Sequence, residues 1–131
     1  MKKIIYIATV IFTLLILIAC QDKKNNLKLG DVLNLKEDSI NQIIVETTMT
    51  KEKSDVILEK KEYKKFLDKI LSYDISEKEL LNLKGWNYFI KIKSDKDIYF
   101  SIAENRIYLN DKMYISNNLN KNDLLYLFDN K

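Results

Sequence analysis

One cysteine, no histidine and two glycines bound the chemistry that this 131-residue chain can carry. Without an imidazole, Ser-His-Asp and Cys-His arrangements are excluded, and so are zinc sites built on histidine. Gly30 and Gly85 stand alone, so no glycine-rich loop is present to cradle a phosphate. What survives is a serine-lysine dyad, a carboxylate pair or an oxygen-ligated calcium site. Asp95 and Asp97 flank Lys96 where the pattern predicts a hairpin turn, and turn propensity by itself accounts for aspartate there. Glu37-Asp38 stands ahead of a strand without the spacing or the glycine of a calcium loop. The expectation is therefore a non-enzymatic protein, with no catalytic residue, no metal site and no cofactor.

The remaining reactive group is the thiol of Cys20. Lys2 and Lys3 open the chain, an uncharged apolar run from Ile4 to Ile18 follows, and Gln21-Asp22-Lys23-Lys24 comes directly after the cysteine. This is the charged-then-apolar order of an export signal. Leu17-Ile18-Ala19-Cys20 resembles the lipobox of bacterial lipoproteins. The resemblance implies a diacylglyceryl group on the Cys20 sulfur and a cut just before it, so that residues 1–19 are the signal peptide. The rival reading is an uncleaved anchor. Ile4 to Ala19 falls short of the roughly 20 apolar residues that a spanning helix needs. Lysines on both sides of the run leave the positive-inside argument silent, and the small residue before the cysteine favours the lipoprotein. Two acyl chains, at about 0.8 kcal/mol per buried methylene, hold a protein stably where one does not. The implied location is the extracytoplasmic face of the cell membrane, reached through the lipid. With its thiol used as a thioether the domain has no disulfide and must stand on its own core.

Charge excludes further classes of partner. Lys2 and Lys3 precede the cut, leaving 20 of the 22 basic residues against 19 acidic ones. That balance supplies no nucleic-acid footprint and no field for acidic substrates. Isoleucine, lysine and asparagine abound, arginine occurs once (Arg106) and proline is absent, a bias that points to an AT-rich, low-GC Gram-positive source.

The periodicities define the elements that must position any site. Residues 20–38 read as a lipidated tether and lead-in, although Leu27, Leu29, Val32, Leu33 and Leu35 are too apolar for a purely flexible linker. Residues 39–131 read as one domain, with ordered structure beginning near Ser39. Ile43, Val45 and Thr47 alternate with Ile44, Glu46 and Thr48, β-branched residues dominating, and Val56 and Leu58 alternate with Asp55, Ile57 and Glu59, which predicts a hairpin. Tyr63, Phe66, Leu67, Ile70 and Leu71 form one stripe on a helix from about Lys60 to Ser72. Ser76-Glu77-Lys78-Glu79 has capping-box spacing, and with Leu80, Leu81, Leu83 and the stop at Gly85 it predicts a short helix. Strands follow at Tyr88 to Lys93, Ile98 to Ala103, Arg106 to Leu109 and Met113 to Ser116, with Asn110-Asp111-Lys112 as the last turn. A C-terminal helix then buries Leu124, Leu125, Leu127 and Phe128. The sum is α+β: an antiparallel sheet of a hairpin and a four-strand meander, with helices packed on one face. In layout it is similar to small single-domain lipoproteins of Gram-positive bacteria of unknown function, a resemblance that carries over no functional residue.

Alternation gives the sheet a second face. If Tyr88, Ile90, Ile92, Ile98, Phe100, Ile102, Ile107, Leu109, Met113 and Ile115 turn toward the helices, then Phe89, Lys91, Tyr99, Ser101, Arg106, Tyr108 and Tyr114 turn away. Tyrosine and arginine are favoured on recognition surfaces, because rigid rings bury area at small entropic cost. Phe89, Lys91, Tyr99, Arg106, Tyr108 and Tyr114 are accordingly the candidate ligand-binding residues. The competing account is cross-strand pairing on a solvated sheet. Trp86 reads as a core plug at the entrance to the sheet. The basic stretch of Lys51, Lys53, Lys60, Lys61, Lys64 and Lys65 is interrupted by acids and reads as a solvated surface. The functional expectation is capture of a peptide or protein ligand at the cell surface, one version being immunity against a toxic peptide. The alternative is an accessory or structural subunit of an envelope complex, docked through Leu27 to Leu35 or through a sheet edge.

Overall fold

The computed structural model describes residues 3–11, 27–51, 54–81 and 85–129. Cys20 and the expected cut before it lie outside the described residues. Residues 3–11 are helical and exposed, and no helix among the described residues is long and apolar enough to cross a membrane.

From residue 27 the elements run β1 (Leu27–Lys28), α1 (Leu29–Leu33), a 3-10 turn (Glu37–Ser39), β2 (Gln42–Thr47), β3 (Asp55–Ile57), α2 (Lys60–Leu71), β4 (Asp74–Lys78), β5 (Tyr88–Lys93), β6 (Ile98–Ala103), β7 (Arg106–Leu109), β8 (Lys112–Ser116) and a closing 3-10 turn (Leu125–Phe128). The strands form a single sheet in the order β1-β4-β8-β7-β6-β5-β2-β3. Every neighbouring pair is antiparallel. The architecture is α+β, as the periodicities predict.

One face of the sheet is the core. Ile43, Val45, Tyr88, Ile90, Ile92, Phe100, Ile102 and Ile107 are buried against Phe66, Leu67 and Ile70 of α2. The stripe on α2 explains this packing: Phe66, Leu67 and Ile70 are inside, while Tyr63 and Leu71 flank them half-buried. The helix begins where the Glu62 carboxylate accepts the Glu59 amide (2.9 Å), which satisfies one of the donors a helix start leaves unpaired.

Three expectations are corrected. Regular structure is already present at Leu27, ahead of Ser39. Leu27 and Lys28 pair with Ile75 and Asp74, the Leu29 amide donates to the Tyr73 carbonyl (2.9 Å), and Leu29 and Leu33 are buried in the core. Leu29 and Leu33 are core residues and Leu35 packs half-buried against them, while Leu27 stays exposed. The short helix at Ser76 is instead the end of β4, paired residue by residue with β8 from Ile75↔Ser116 to Lys78↔Met113. Tyr73 and Ile75 are buried on alternate positions, and the unpaired edge of β8 supplies ladder hydrogen bonds that outweigh a local cap. Leu80 and Leu81 are half exposed and not helical, and residues 82–84 lie outside the described residues. The terminal helix is a single 3-10 turn, in which Leu124 and Leu127 are buried while Leu125 and Phe128 are half-buried.

The strand order carries one further consequence. β4 and β5 run parallel with β8, β7 and β6 between them, so the crossing that joins Lys78 to Tyr88 spans three strands. Trp86, near the end of that crossing, lies against Phe89 on the face away from the helices, with ring centroids 5.9 Å apart. It is therefore not a core plug. On that same face Met113 and Ala103 are buried outside the main core.

Candidate functional site

The register of the β7–β8 hairpin decides the fate of the expected tyrosine cluster. Leu109 pairs with Lys112 across a two-residue turn, Asn110-Asp111, whose φ values of 51° and 62° are both left-handed, the form in which two-residue hairpins match strand twist. A three-residue turn, as the sequence pattern suggested, would have kept Leu109 and Met113 on one face. One residue fewer turns every side chain of β8 over. Tyr114 therefore lies opposite Ile107 in the core, 5% exposed, and Met113 lies beside Tyr108 on the other face. Tyr114 leaves the candidate set, and Met113 and Ile115 leave the predicted core face.

The other five candidates do share the outer face, four of them in two rows and Arg106 in a third, opposite Ala103 and Ile115. Ile57, Ile44, Lys91 and Tyr99 run straight across β3, β2, β5 and β6, and Asp55, Glu46, Phe89, Ser101, Tyr108 and Met113 run beside them. Lys91 is engaged with the Glu46 carboxylate (3.1 Å) and lies 5.5 Å from the centre of the Phe89 ring. Tyr99 is 47% exposed, and its hydroxyl donates to Asp97 (3.3 Å). Arg106 and Tyr108 are half-buried, with the Arg106 Nε and Tyr108 Oη atoms enclosed and unpartnered among the described residues. The outer face is thus open on its β3, β2 and β5 side and closed toward β7 and β8. It does not present one aromatic platform.

A concave site lies elsewhere. A cleft of about 510 Å³ opens at the end of the sheet where β5 meets β6 and β7 meets β8. Its floor is aliphatic: Val32, Leu33 and Leu35 from the lead-in, Ile98 from the start of β6 and Leu109 from the end of β7. Its rim carries both signs of charge, Lys36 and Lys96 with Asp95 and Asp97, together with Asn34 and Asn110. Both asparagines hold left-handed backbone (φ 46° and 51°), a conformation that asparagine tolerates better than most residues. The Ser39 and Ser94 hydroxyls donate to the Lys36 and Lys96 carbonyls, both at 2.8 Å. These serines fix the walls, and no nucleophile is paired with a base. A volume of this size with an apolar floor and a few polar groups suits a small molecule or a short peptide segment. Sequence reasoning missed the cleft because residues 32–39 and 94–98 are far apart in the chain. The one local signal was the surplus of leucines in the lead-in.

The tyrosines with strongly perturbed acidity belong to the core. Burial, reinforced by the Asp123 carboxylate that its hydroxyl contacts, pushes Tyr73 far above its ordinary value. Burial, followed by the charge of Asp123, pushes Tyr88 up to about 12. Tyr73 donates to Asp123 (2.9 Å) and Tyr88 to the Lys121 carbonyl (2.6 Å), which ties residues 121–123 down to the sheet. Among the described residues no group of three acidic, cysteine or histidine side chains could hold a metal ion. Comparison with family models, curated proteins and solved structures finds no significant match to this chain.

Proposed function

We propose that the protein is a lipid-anchored binding module on the extracytoplasmic face of the cell membrane, which captures a peptide or a short protein segment in the cleft at the end of its sheet. The observation that carries this reading is the cleft itself, an aliphatic floor ringed by two ammonium and two carboxylate groups. Mixed charge around apolar ground suits a peptide, whose backbone offers donors and acceptors while a side chain fills the floor. A sugar site would be expected to offer an aromatic platform, and the lining contains none. The lipobox resemblance around Cys20 supports the anchor. β1 enters the sheet at Asp74 and Ile75, whereas the cleft lies beyond Lys93 and Leu109 at the other end of the strands. A tether ending at Leu27 would therefore hold the cleft away from the membrane. Interception of a toxic peptide, as in immunity, and service as an accessory subunit both fit such a module, and the identity of the bound segment separates them.

The anchor and the site are tested separately. Cys20→Ala is expected to abolish incorporation of a clickable fatty acid and to leave Met1 to Ala19 attached. Wild-type protein that stays unlabelled and uncut would replace the lipoprotein reading with the uncleaved anchor. For the cleft, a photo-crosslinking residue at Lys96 is expected to capture a peptide or protein segment in living cells. Filling the cleft by Ser94→Trp should remove the adduct without unfolding the chain. An adduct that persists in the filled variant would place binding elsewhere.

A further inference from the structure

The outer strand β3 has an unpaired edge with a chemistry of its own. The Thr47 amide donates to the Ser54 carbonyl and the Leu58 amide to the Ile43 carbonyl. In an antiparallel ladder hydrogen-bonded and non-hydrogen-bonded pairs alternate, so Ser54, Val56 and Leu58 aim their backbone groups at β2. Asp55 and Ile57, opposite Glu46 and Ile44 in the non-bonded pairs, aim theirs away from the sheet. β3 is last in the strand order and both residues are exposed, Ile57 at 56%. No backbone group among the described residues bonds to this edge. Beside it the outer face continues as Ile57, Ile44, Lys91 and Tyr99.

We infer that β3 is a docking edge for an extended segment of a partner protein, added as a ninth strand, with an aliphatic residue opposite Ile57 and a lysine or arginine two positions away opposite Asp55. Main-chain hydrogen bonds would hold such a segment, and alternate side chains would select it. Selection follows from cross-strand pairing, where β-branched partners and opposite charges are favoured and like charges are disfavoured. Asp55 and Glu46 make the neighbouring row acidic at this edge, and Lys91 is already occupied by Glu46, so the added strand must bring the cation. A second copy of this chain fits poorly. Antiparallel pairing of β3 with itself would set Asp55 against Ile57 and leave both unmatched. The site is separate from the cleft, so the two readings fail independently.

The test uses the full chain in lipid nanodiscs and a capped peptide, Thr-Val-Val-Val-Lys-Val-Thr, which places a valine two residues before the lysine on one face, the order that antiparallel pairing with Asp55 and Ile57 requires. Adding the peptide is expected to slow amide exchange at Asp55 and Ile57 about tenfold or more, as newly bonded amides require. N-methylation of the peptide's lysine and of the valine two residues before it should abolish the effect, while N-methylation of the valine between them should not. Ile57→Pro removes a donor that the ladder does not use and should weaken binding about tenfold with the fold retained. Replacing the peptide's lysine by glutamate should also lose binding. Unchanged exchange at Asp55 and Ile57, or equal binding by both methylated peptides, would overturn the inference.

Discussion

At Asp123 three interactions meet on one carboxylate: the Tyr73 hydroxyl at 2.9 Å, the Asn120 amide at 3.0 Å and, at 3.6 Å, the Lys69 ammonium. Tyr73 is 1% exposed, so an acceptor lost here strands a buried donor. Asp123→Ala is expected to cost about 1–3 kcal/mol in urea unfolding, and Asp123→Asn, which keeps an acceptor, less. The same tyrosines set an alkaline limit. A folded pKa raised above the unfolded value of 10.0 means that stability is fully present below pH 10 and is lost as pH rises toward the Tyr88 value of about 12. Tyr73 adds to the loss in the same direction. Urea midpoints measured from about pH 8 to about pH 12, the range of tyrosine titration, should hold level and then fall, and Tyr88→Phe should flatten part of the fall. The reassigned Tyr114 offers a contrast: Tyr114→Ser is expected to cost about 3–5 kcal/mol as a core truncation, and Tyr99→Ser at most about 1 kcal/mol.

At the scale of elements, α2 is the keystone between the lead-in and the sheet. Phe66 is fully buried in its stripe, and Phe66→Ala should remove roughly 3–5 kcal/mol, most of a small domain's stability. The lead-in helix α1 meets the end of α2 through Gly30, where a Cβ would stand 3.2 Å from the Leu71 carbonyl oxygen and 3.3 Å from the Leu71 Cβ. Gly30→Val should therefore push α1 outward and open the floor of the cleft. The measurable result is loss of the Lys96 crosslink together with a lowered melting temperature. Both follow from backbone proximity, since the glycine's φ is not left-handed.

For the whole molecule the decisive matter is where the fold begins. A chain starting at Ser39 lacks β1, α1, Leu29 and Leu33, and is expected to lose cooperative unfolding in circular dichroism. One starting at Leu27 should keep it, unaltered by reducing agent, because no disulfide contributes. Much of this fold was legible in the chain. The β2–β3 hairpin, the stripe of α2 and the boundaries of β5, β6 and β7 follow from periods of 2 and 3.6, because each element buries the face that its own residues define. β4 was not legible, since Ser76 to Glu79 satisfies a helix cap locally and becomes a strand only against the edge of β8. The candidate site was half legible: alternation placed Phe89, Lys91, Tyr99, Arg106 and Tyr108 on one face, but a one-residue difference in the Asn110-Asp111 turn moved Tyr114 to the other. By itself the sequence determined the α+β class, the absence of histidine chemistry and the candidate lipid site at Cys20, all properties of residue type and short-range order. The tertiary structure alone decided the register of β8, the burial of the lead-in, the free edge of β3 and the cleft, because each arises where segments far apart in sequence compete for the same hydrogen bonds and the same apolar surface.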